Sequence, residues 1–587
     1  MKKQNTAQAR KSGLVLPIFA ALSALFGSGA IIGITVLSTP GLAWRLIAAL
    51  LPEYAVCFAA LFIVVLGYGS IYKPIAYMTL PAACLACGVR TVFLSAPYSR
   101  PMVIAWIFFL LCAACTAASL WALRTFPEPI KKSGKRIPHS VYAIACTAFA
   151  AALSLAVYIL VLHSRLQHFQ TGNTGQAAVG QMLYFMQHSG KPFTTLIAGE
   201  PQSCFATQFA PLWYLILPVY ILSKHNMLAV GIALYSLMLT ALVPLWRICR
   251  RHALKPWQSA AICAACALCP LVVGGGASGG ALSMLALPLI LWIADAFESK
   301  RPYLAFIPIA LCLGVGFEVS VWTSLVCLYL ALSAPAERKR AGIACTVAAF
   351  AVTTATAAYL AAVGSPVITG LFTGIGLQAG QKLLFLMLLF VPFALLCLFC
   401  KQKSALVLLF PLVLFHLVAD ASVYSGVFCT YAFSAVAAVA LLSVKGASRL
   451  HTEIKGVSLS RLLPALALCA AILFAAPYAA TLTDLYYVSD EQTQTDDARM
   501  HELLDALPEN AAVTASDSLL AALHDRTWLF SLDAAPDTPA TNVVVIDLRE
   551  NYTTSDTEQY GVSYYQSLGY TVREDLSRQG LLVVLFK

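Results

Sequence analysis

The chain has 587 residues and a mass of 62.8 kDa, with 60% of its residues apolar and 11% charged. Soluble proteins carry about 25% charged residues, so soluble domains of this total size would lack the polar surface to cover them. A mean hydropathy of +0.78 completes the exclusion of a soluble enzyme, and the net charge of +11 is an average of two unlike parts.

A bilayer core about 30 Å thick takes about 20 apolar residues of helix. The first such run, Leu14–Leu37, follows Lys2, Lys3, Arg10 and Lys11. It exceeds the ~7–15 apolar residues of a cleaved signal peptide, so it reads as an anchor. Further runs lie near 50–69, 74–95, 101–123, 141–163, 226–247, 257–273, 281–297, 303–316, 319–334, 341–362, 384–400, 404–419, 427–444 and 462–481. The pattern predicts about 15 spans. Pro211–Ser223 is apolar but short and holds Pro211 and Pro218. A segment of that length reads as interfacial or re-entrant.

Basic clusters set the expected orientation, because cytoplasmic loops carry the excess of Lys and Arg. They occur at Lys131, Lys132, Lys135 and Arg136; at Arg247, Arg250, Arg251 and Lys255; at Lys300 and Arg301; at Arg338, Lys339 and Arg340; at Lys401 and Lys403; and from Lys445 to Arg461. With Pro211–Ser223 kept out of the count, all fall on one side. The expectation is a multi-pass protein of the cell membrane with a cytoplasmic N-terminus and an extracytoplasmic C-terminus. The external parts are then the loop His163–Thr207 and the tail Thr483–Lys587.

The charge is divided accordingly. From Asp484 onward there are 18 acids and six bases, against nine acids and 32 bases before it. A basic body can mark a nucleic-acid binder, but these bases sit in short gaps between apolar runs, so membrane topology explains them and no nucleic-acid partner is expected. The tail predicts a small α/β domain. Asp496–Leu507 reads as a helix, followed by Ala511–Ala515 and then by Asp517–His524, a helix with Asp517 as its N-cap. Val543–Asp547 and Leu581–Phe586 read as short covered strands. All 18 cysteines precede position 470, so the tail is expected to stand on its own core without disulfides.

Several motifs have bland readings. Cys84/Cys87, Cys112/Cys115, Cys263/Cys266/Cys269 and Cys397/Cys400 have CxxC spacing but lie within apolar helices without charges to activate a thiol, so they read as small packing residues. No metal-ligand set is predicted. Gly274–Gly280 lacks the Lys-Ser/Thr ending of a phosphate loop and reads as an external turn. Asn551-Tyr552-Thr553 matches a glycosylation sequon of little weight. His416 and Asp420 share one helical face at an external span end.

The order of features carries a resemblance. A span leads into Thr171-Gly172-Asn173-Thr174-Gly175-Gln176, then the amphipathic Gln181–Met186, then Gly190-Lys191-Pro192-Phe193, then Gln208-Phe209-Ala210-Pro211-Leu212-Trp213-Tyr214-Leu215. Gly316-Phe317-Glu318-Val319, Cys429-Thr430-Tyr431, Leu507–Val513 and Val543–Arg549 continue it. Over roughly 141–587 the chain resembles a family of prokaryotic predicted multi-pass membrane proteins related to the GT-C integral-membrane glycosyltransferases. The resemblance implies an all-α polytopic bundle of GT-C type with a small C-terminal extracytoplasmic α/β domain. Residues 1–140 would be added N-terminal spans, 141–482 the transmembrane core with external loop 163–207, and 483–587 the external domain.

The resemblance also implies an activity: transfer of a sugar from a polyprenyl-phosphate donor on the external face, with a first-loop acid as base or metal-linked carboxylate. The sequence departs from that pattern where it matters. Asn173 stands where the acid belongs, and a carboxamide cannot take a proton. Gln208 replaces a His, and the glycine run at 275–280 replaces a later acidic motif. Glu318 survives from a later motif, and Glu200 is the only carboxylate in the first external loop. Glu200 and Glu318 are therefore the candidate catalytic residues. Asn173, Gln208, Lys191, Lys382, Tyr431 and Asp420 are the candidate substrate-binding residues, the two lysines toward phosphate. Enzyme activity stays open. The alternatives are a non-catalytic envelope protein binding lipid or glycolipid on the same fold, and a transporter or flippase, which the shortage of buried charge disfavours. A divalent metal, the sugar, the acceptor and any protein partner are left open.

Overall fold

A computed structural model describes residues 139–169, 174–197, 200–277, 282–299, 301–365, 379–393, 395–418, 431–453, 491–532, 541–549 and 561–587, with short helical pieces between 17 and 88. The spans expected at 101–123 and 462–481, most of 74–95, and the candidates Asn173 and Asp420 lie outside the described residues.

The body is a bundle of apolar helices. Among the described residues, five helices are long and apolar enough to cross a membrane: Ala143–Gln167, Met227–Arg251, Pro256–Gly276, Ala336–Ala362 and Ala432–Arg449. They belong to α1 (His139–Gln167), α4 and α5 (Met227–Leu239 and Leu242–Arg251), α6 and α7 (Pro256–Ala267 and Pro270–Ala277), α11 (Ala336–Ala362) and α14 (Ala432–Glu453). α1 is followed by α2 (Thr174–Ser189), and the short proline-bearing segment forms α3 (Trp213–Leu222). Between them run α8 (Ala286–Glu298), α9 (Phe306–Leu313), α10 (Phe317–Ser333), α12 (Ala379–Phe390) and the single turn α13 (Leu409–Leu412).

Two expected spans are not continuous helices. The 384–400 run stops as α12 at Phe390 and resumes as a 3-10 turn at Leu396–Phe399, after Leu395 at φ 56°. The 404–419 run is 3-10 at Lys403–Leu408, α at Leu409–Leu412 and π at Val413–Val418. Hydropathy reports burial, not the hydrogen-bond period, so it could not see these breaks.

The glycine run is also corrected. Gly274–Gly276 are buried and helical, closing α7. Tyr158 and Tyr235 stack at 4.0 Å between centroids, and a Cβ on Gly276 would lie 3.0 Å from the Tyr158 ring. Small residues let helices approach this closely. Tyr235 donates to Ser154 Oγ at 2.6 Å, and Ser154 donates to the Ala267 carbonyl at 2.6 Å, fixing α1 against α4 and α6. Cys263, Cys266 and Cys269 are fully buried in this core, as packing residues would be.

The tail holds a helix, α15 (Glu491–Asp505), a shorter one, α16 (Val562–Ser567), and a five-stranded sheet. Two short external strands come first, β1 (Phe193–Thr194) and β2 (Gln202–Ser203), paired antiparallel. The tail strands are β3 (Val513–Ala515), β4 (Leu529–Ser531), β5 (Val543–Asp547), β6 (Thr571–Val572) and β7 (Leu582–Phe586), in the order β4-β3-β5-β7-β6. β3 is parallel to β4 and β5; β7 is antiparallel to β5 and β6. β5 is buried at every position, which matches its unbroken apolar run. The expected helix Asp517–His524 is instead a series of turns, and Asp517 accepts from the Ser531 hydroxyl.

The tail does not stand on its own core. Phe169, Ala177, Ala178 and Leu196 of the first external segment pack in one cluster with Met500, Leu504, Val513, Leu529 and Val584. Loop and tail are joined by polar contacts too. The Gln181 carboxamide accepts from Thr194 Oγ1 (2.6 Å) and the Thr195 amide (2.9 Å), and donates to the Arg526 carbonyl (3.2 Å). A buried amide so fully satisfied specifies one seating of α2 on the tail.

Candidate functional site

The site is built where the segment after β2 crosses the start of α10. Leu212 N donates to the Gly314 carbonyl at 3.1 Å, and Gln208 Nε2 to the Val315 carbonyl at 3.4 Å. Gly316 holds φ +154°, and a Cβ there would sit 3.1 Å from Gln208 Nε2. Only glycine takes that backbone without strain while admitting Gln208. The turn then places Glu318 in the first turn of α10, where a negative group meets the positive end of the helix dipole.

Glu318 is 5% exposed, and neither carboxylate oxygen has a hydrogen-bond partner. The Ser434 hydroxyl of α14 is in electrostatic reach, but no hydrogen bond closes, and Ser434 Oγ is itself unpartnered. Trp322, one turn along the same face, has its Nε1 buried and unpartnered. Its ring lies 6.3 Å from that of His416, which stacks at 4.6 Å on Phe385 of α12. An acid left without partners in a packed bundle costs about 1–3 kcal/mol or more, and such groups in apolar surroundings are functional candidates by default.

Beside this turn a cavity of about 400 Å³ opens between α2 and the 196–213 segment, lined by Gly175, Met182, Leu196, Phe205, Gln208 and Trp213. It joins the Thr174-Gly175 motif to Gln208, although the two are far apart in sequence.

The other candidates divide. Lys191 is exposed, its Nζ 5.7 Å from the Phe193 ring. Glu200 is exposed in the turn between β1 and β2. Neither lines the cavity. Lys382 is buried on α12, one turn before Phe385, and Tyr431 is half-buried just before α14. Trp322, Ser434 and Gln181 were not singled out by sequence reasoning. The i, i+4 spacing of Glu318 and Trp322 was the one available signal. Among the described residues, no three His, Cys, Asp or Glu side chains converge to hold a metal ion.

An apolar multi-helix body with a small α/β tail seated on the segment after α1 defines a polytopic membrane protein. Residues 360–583 match the family described as "Predicted membrane protein (DUF2079)". No curated protein matches the chain. Among solved structures, the chain is similar to ArnT from Cupriavidus metallidurans bound to undecaprenyl phosphate, with a TM-score of 0.48 and 13% identity over 75% of this chain and 97% of that one. The apo ArnT structure gives 0.46 and 12% over 76% and 98%.

Proposed function

We propose that this protein is a membrane glycosyltransferase of GT-C type that takes a sugar from a polyprenyl-phosphate donor at its external face, with Glu318 as the general base. The observation that carries the reading is the buried, unpartnered Glu318 carboxylate, which follows the Val315–Gly316 turn that Gln208, a lining residue of the cavity, packs against. The order of sequence motifs that Gln208 and Glu318 belong to supports it as well.

The chemistry is a displacement at C1 of the sugar. The acceptor hydroxyl attacks C1 and its proton passes to the Glu318 carboxylate, while the C1–O bond to phosphate breaks and phosphate leaves with the electron pair. Gln208 would hold a sugar hydroxyl through its carboxamide. Lys382 or Lys191 would meet the leaving phosphate, whose developing charge needs a cation or donors. Residues 483–587 would act as an external domain closing over the loop.

The test is turnover by the purified full chain with radiolabelled polyprenyl-phosphate sugars. Transfer or hydrolysis that falls in Glu318→Gln and persists in Glu200→Gln supports the reading. Saturable lipid binding without turnover would replace it with a non-catalytic binding protein, the reading favoured by Asn173 in place of the first-loop acid. Turnover undisturbed in both variants would remove both carboxylates from the mechanism.

A further inference from the structure

A second cavity lies at the other end of the bundle. Ser333 lies 15 residues beyond Glu318 along α10, about 22 Å at 1.5 Å per residue. At that far end a cavity of about 640 Å³ opens where α5, α8, α10 and α14 end and α11 begins. Four permanent cations line it, Arg251, Arg338, Lys445 and Arg449, with His252 and a single carboxylate, Glu298.

Not all of this charge is available. Asp295 takes Arg251 at 2.7 Å and Arg247 at 3.4 Å. Glu298 Oε1 lies 3.2 Å from His252 Nε2 and 3.8 Å from Lys445 Nζ. Arg338 donates one Nη1 bond to the Glu298 carbonyl at 2.7 Å and makes no other hydrogen bond or ion pair among the described residues. Glu298 is therefore the one carboxylate of the lining against Lys445 and Arg338, and these two leave a positive surplus.

Membrane topology alone asks for basic residues on one side of the bilayer; it does not ask three helix ends to bring them to one concavity. Lys445 is held 4.7 Å from the Tyr329 ring centre, and Tyr329 donates to Gln402 at 3.1 Å. Arg338 is aimed by its bond to the end of α8. Cations fixed this way are preorganised for an anion. A basic pocket between membrane helices at the headgroup level suits a phosphate-bearing group, and a guanidinium with free N–H groups matches phosphate geometry.

We infer that this basic cavity is a binding site for a phosphate group, separate from the Glu318 site and independent of the function proposed for it. Phosphate can arrive on a lipid headgroup or on a soluble anion, and two arms of one experiment distinguish these sources. The full chain is placed in phosphatidylcholine nanodiscs, either doped with phosphatidic acid or titrated with inorganic pyrophosphate. Binding is read by native mass spectrometry and by the shift in thermal unfolding.

Retention of phosphatidic acid with a raised Tm is the result expected from a headgroup site; pyrophosphate binding in neutral nanodiscs assigns a soluble anion instead. In either arm Arg338→Gln weakens binding about tenfold, the worth of one charge-assisted contact. Lys339→Gln, which removes a neighbouring charge outside the cavity, leaves it unchanged. Ser448→Asp, which adds an acid to the lining, abolishes binding without removing any of these contacts. Binding of neither probe, or equal weakening by Arg338→Gln and Lys339→Gln, would overturn the site.

Discussion

His168 Nδ1 lies 2.6 Å from Asp497 Oδ2, and this contact fastens the end of α1 to α15. Arg549 bonds both Asp497 and Asp547 and places its guanidinium 5.4 Å from the centre of the Phe169 ring. Asp497 is thus the shared acceptor between the bundle and the tail, and its side chain is 7% exposed. Asp497→Ala should destabilise the tail by about 2 kcal/mol, the cost of leaving buried donors unmade. The check is denaturant unfolding of the full chain followed by Trp528 fluorescence. An unchanged midpoint would mean that Arg549 and Asp547 suffice.

Gly180 is where α2 meets His524. A Cβ there would fall 2.6 Å from His524 Cδ2 and 2.7 Å from Cγ, and that ring is held by the Ala521 and His225 carbonyls at 2.8 and 3.2 Å. Gly180→Ala should cost about 1–3 kcal/mol by overpacking. Adding His524→Ala should recover part of the loss, because the clash is pairwise. Strict additivity of the two unfolding free energies would refute the contact.

His524 also predicts a pH dependence. Burial lowers its pKa below the ordinary histidine value, outweighing the opposing pull of the Ala521 carbonyl, Asp525 and the His225 carbonyl. A depressed folded-state pKa means that the unfolded chain takes up a proton first on acidification. Its contribution is therefore complete above about pH 6.5 and is lost as the pH falls below that value. Tm should fall from pH 7.5 toward pH 5.5 (chosen test conditions, roughly spanning that value), and His524→Gln should flatten the slope. Parallel slopes in both proteins would assign the pH dependence elsewhere.

Glu318 should separate stability from activity. Its carboxylate has no hydrogen-bond partner, so Glu318→Gln removes an ionisable group without breaking a bond. Thermal unfolding should be unchanged or raised. Transfer activity should drop by about 100-fold or more, the contribution of a positioned base. A variant that lost both together would have a structural glutamate instead.

The orientation is open to a chemical test. All 18 cysteines precede position 470, so a cysteine introduced as Ser555→Cys reports on the tail alone when it is compared with the parent chain. It should react with an impermeant maleimide in whole cells. Protection until lysis would turn the protein over and place the basic cavity outside.

The amino-acid sequence determined whatever depends on local pattern. Apolar runs long enough for a bilayer marked the bundle, and α15, β5 and β7 stood where Asp496–Leu507, Val543–Asp547 and Leu581–Phe586 predicted a helix and two strands. Glu318 was legible because an acid bounded by apolar residues is conspicuous, and Gln208 because it lies in an ordered set of motifs.

What only the tertiary structure decided depends on distance through space. The glycines at 274–276 are helical, and Gly276 lies against two stacked tyrosines from α1 and α4, a contact no window around position 275 contains. Phe169 and Leu196 entered the core of a tail more than three hundred residues away because that sheet leaves one face to be covered. Three basic clusters, legible only as loop charges, became one cavity when the ends of their helices met. Hydrophobic period and charge are local properties of a chain; which faces and which ends meet is settled by packing the whole.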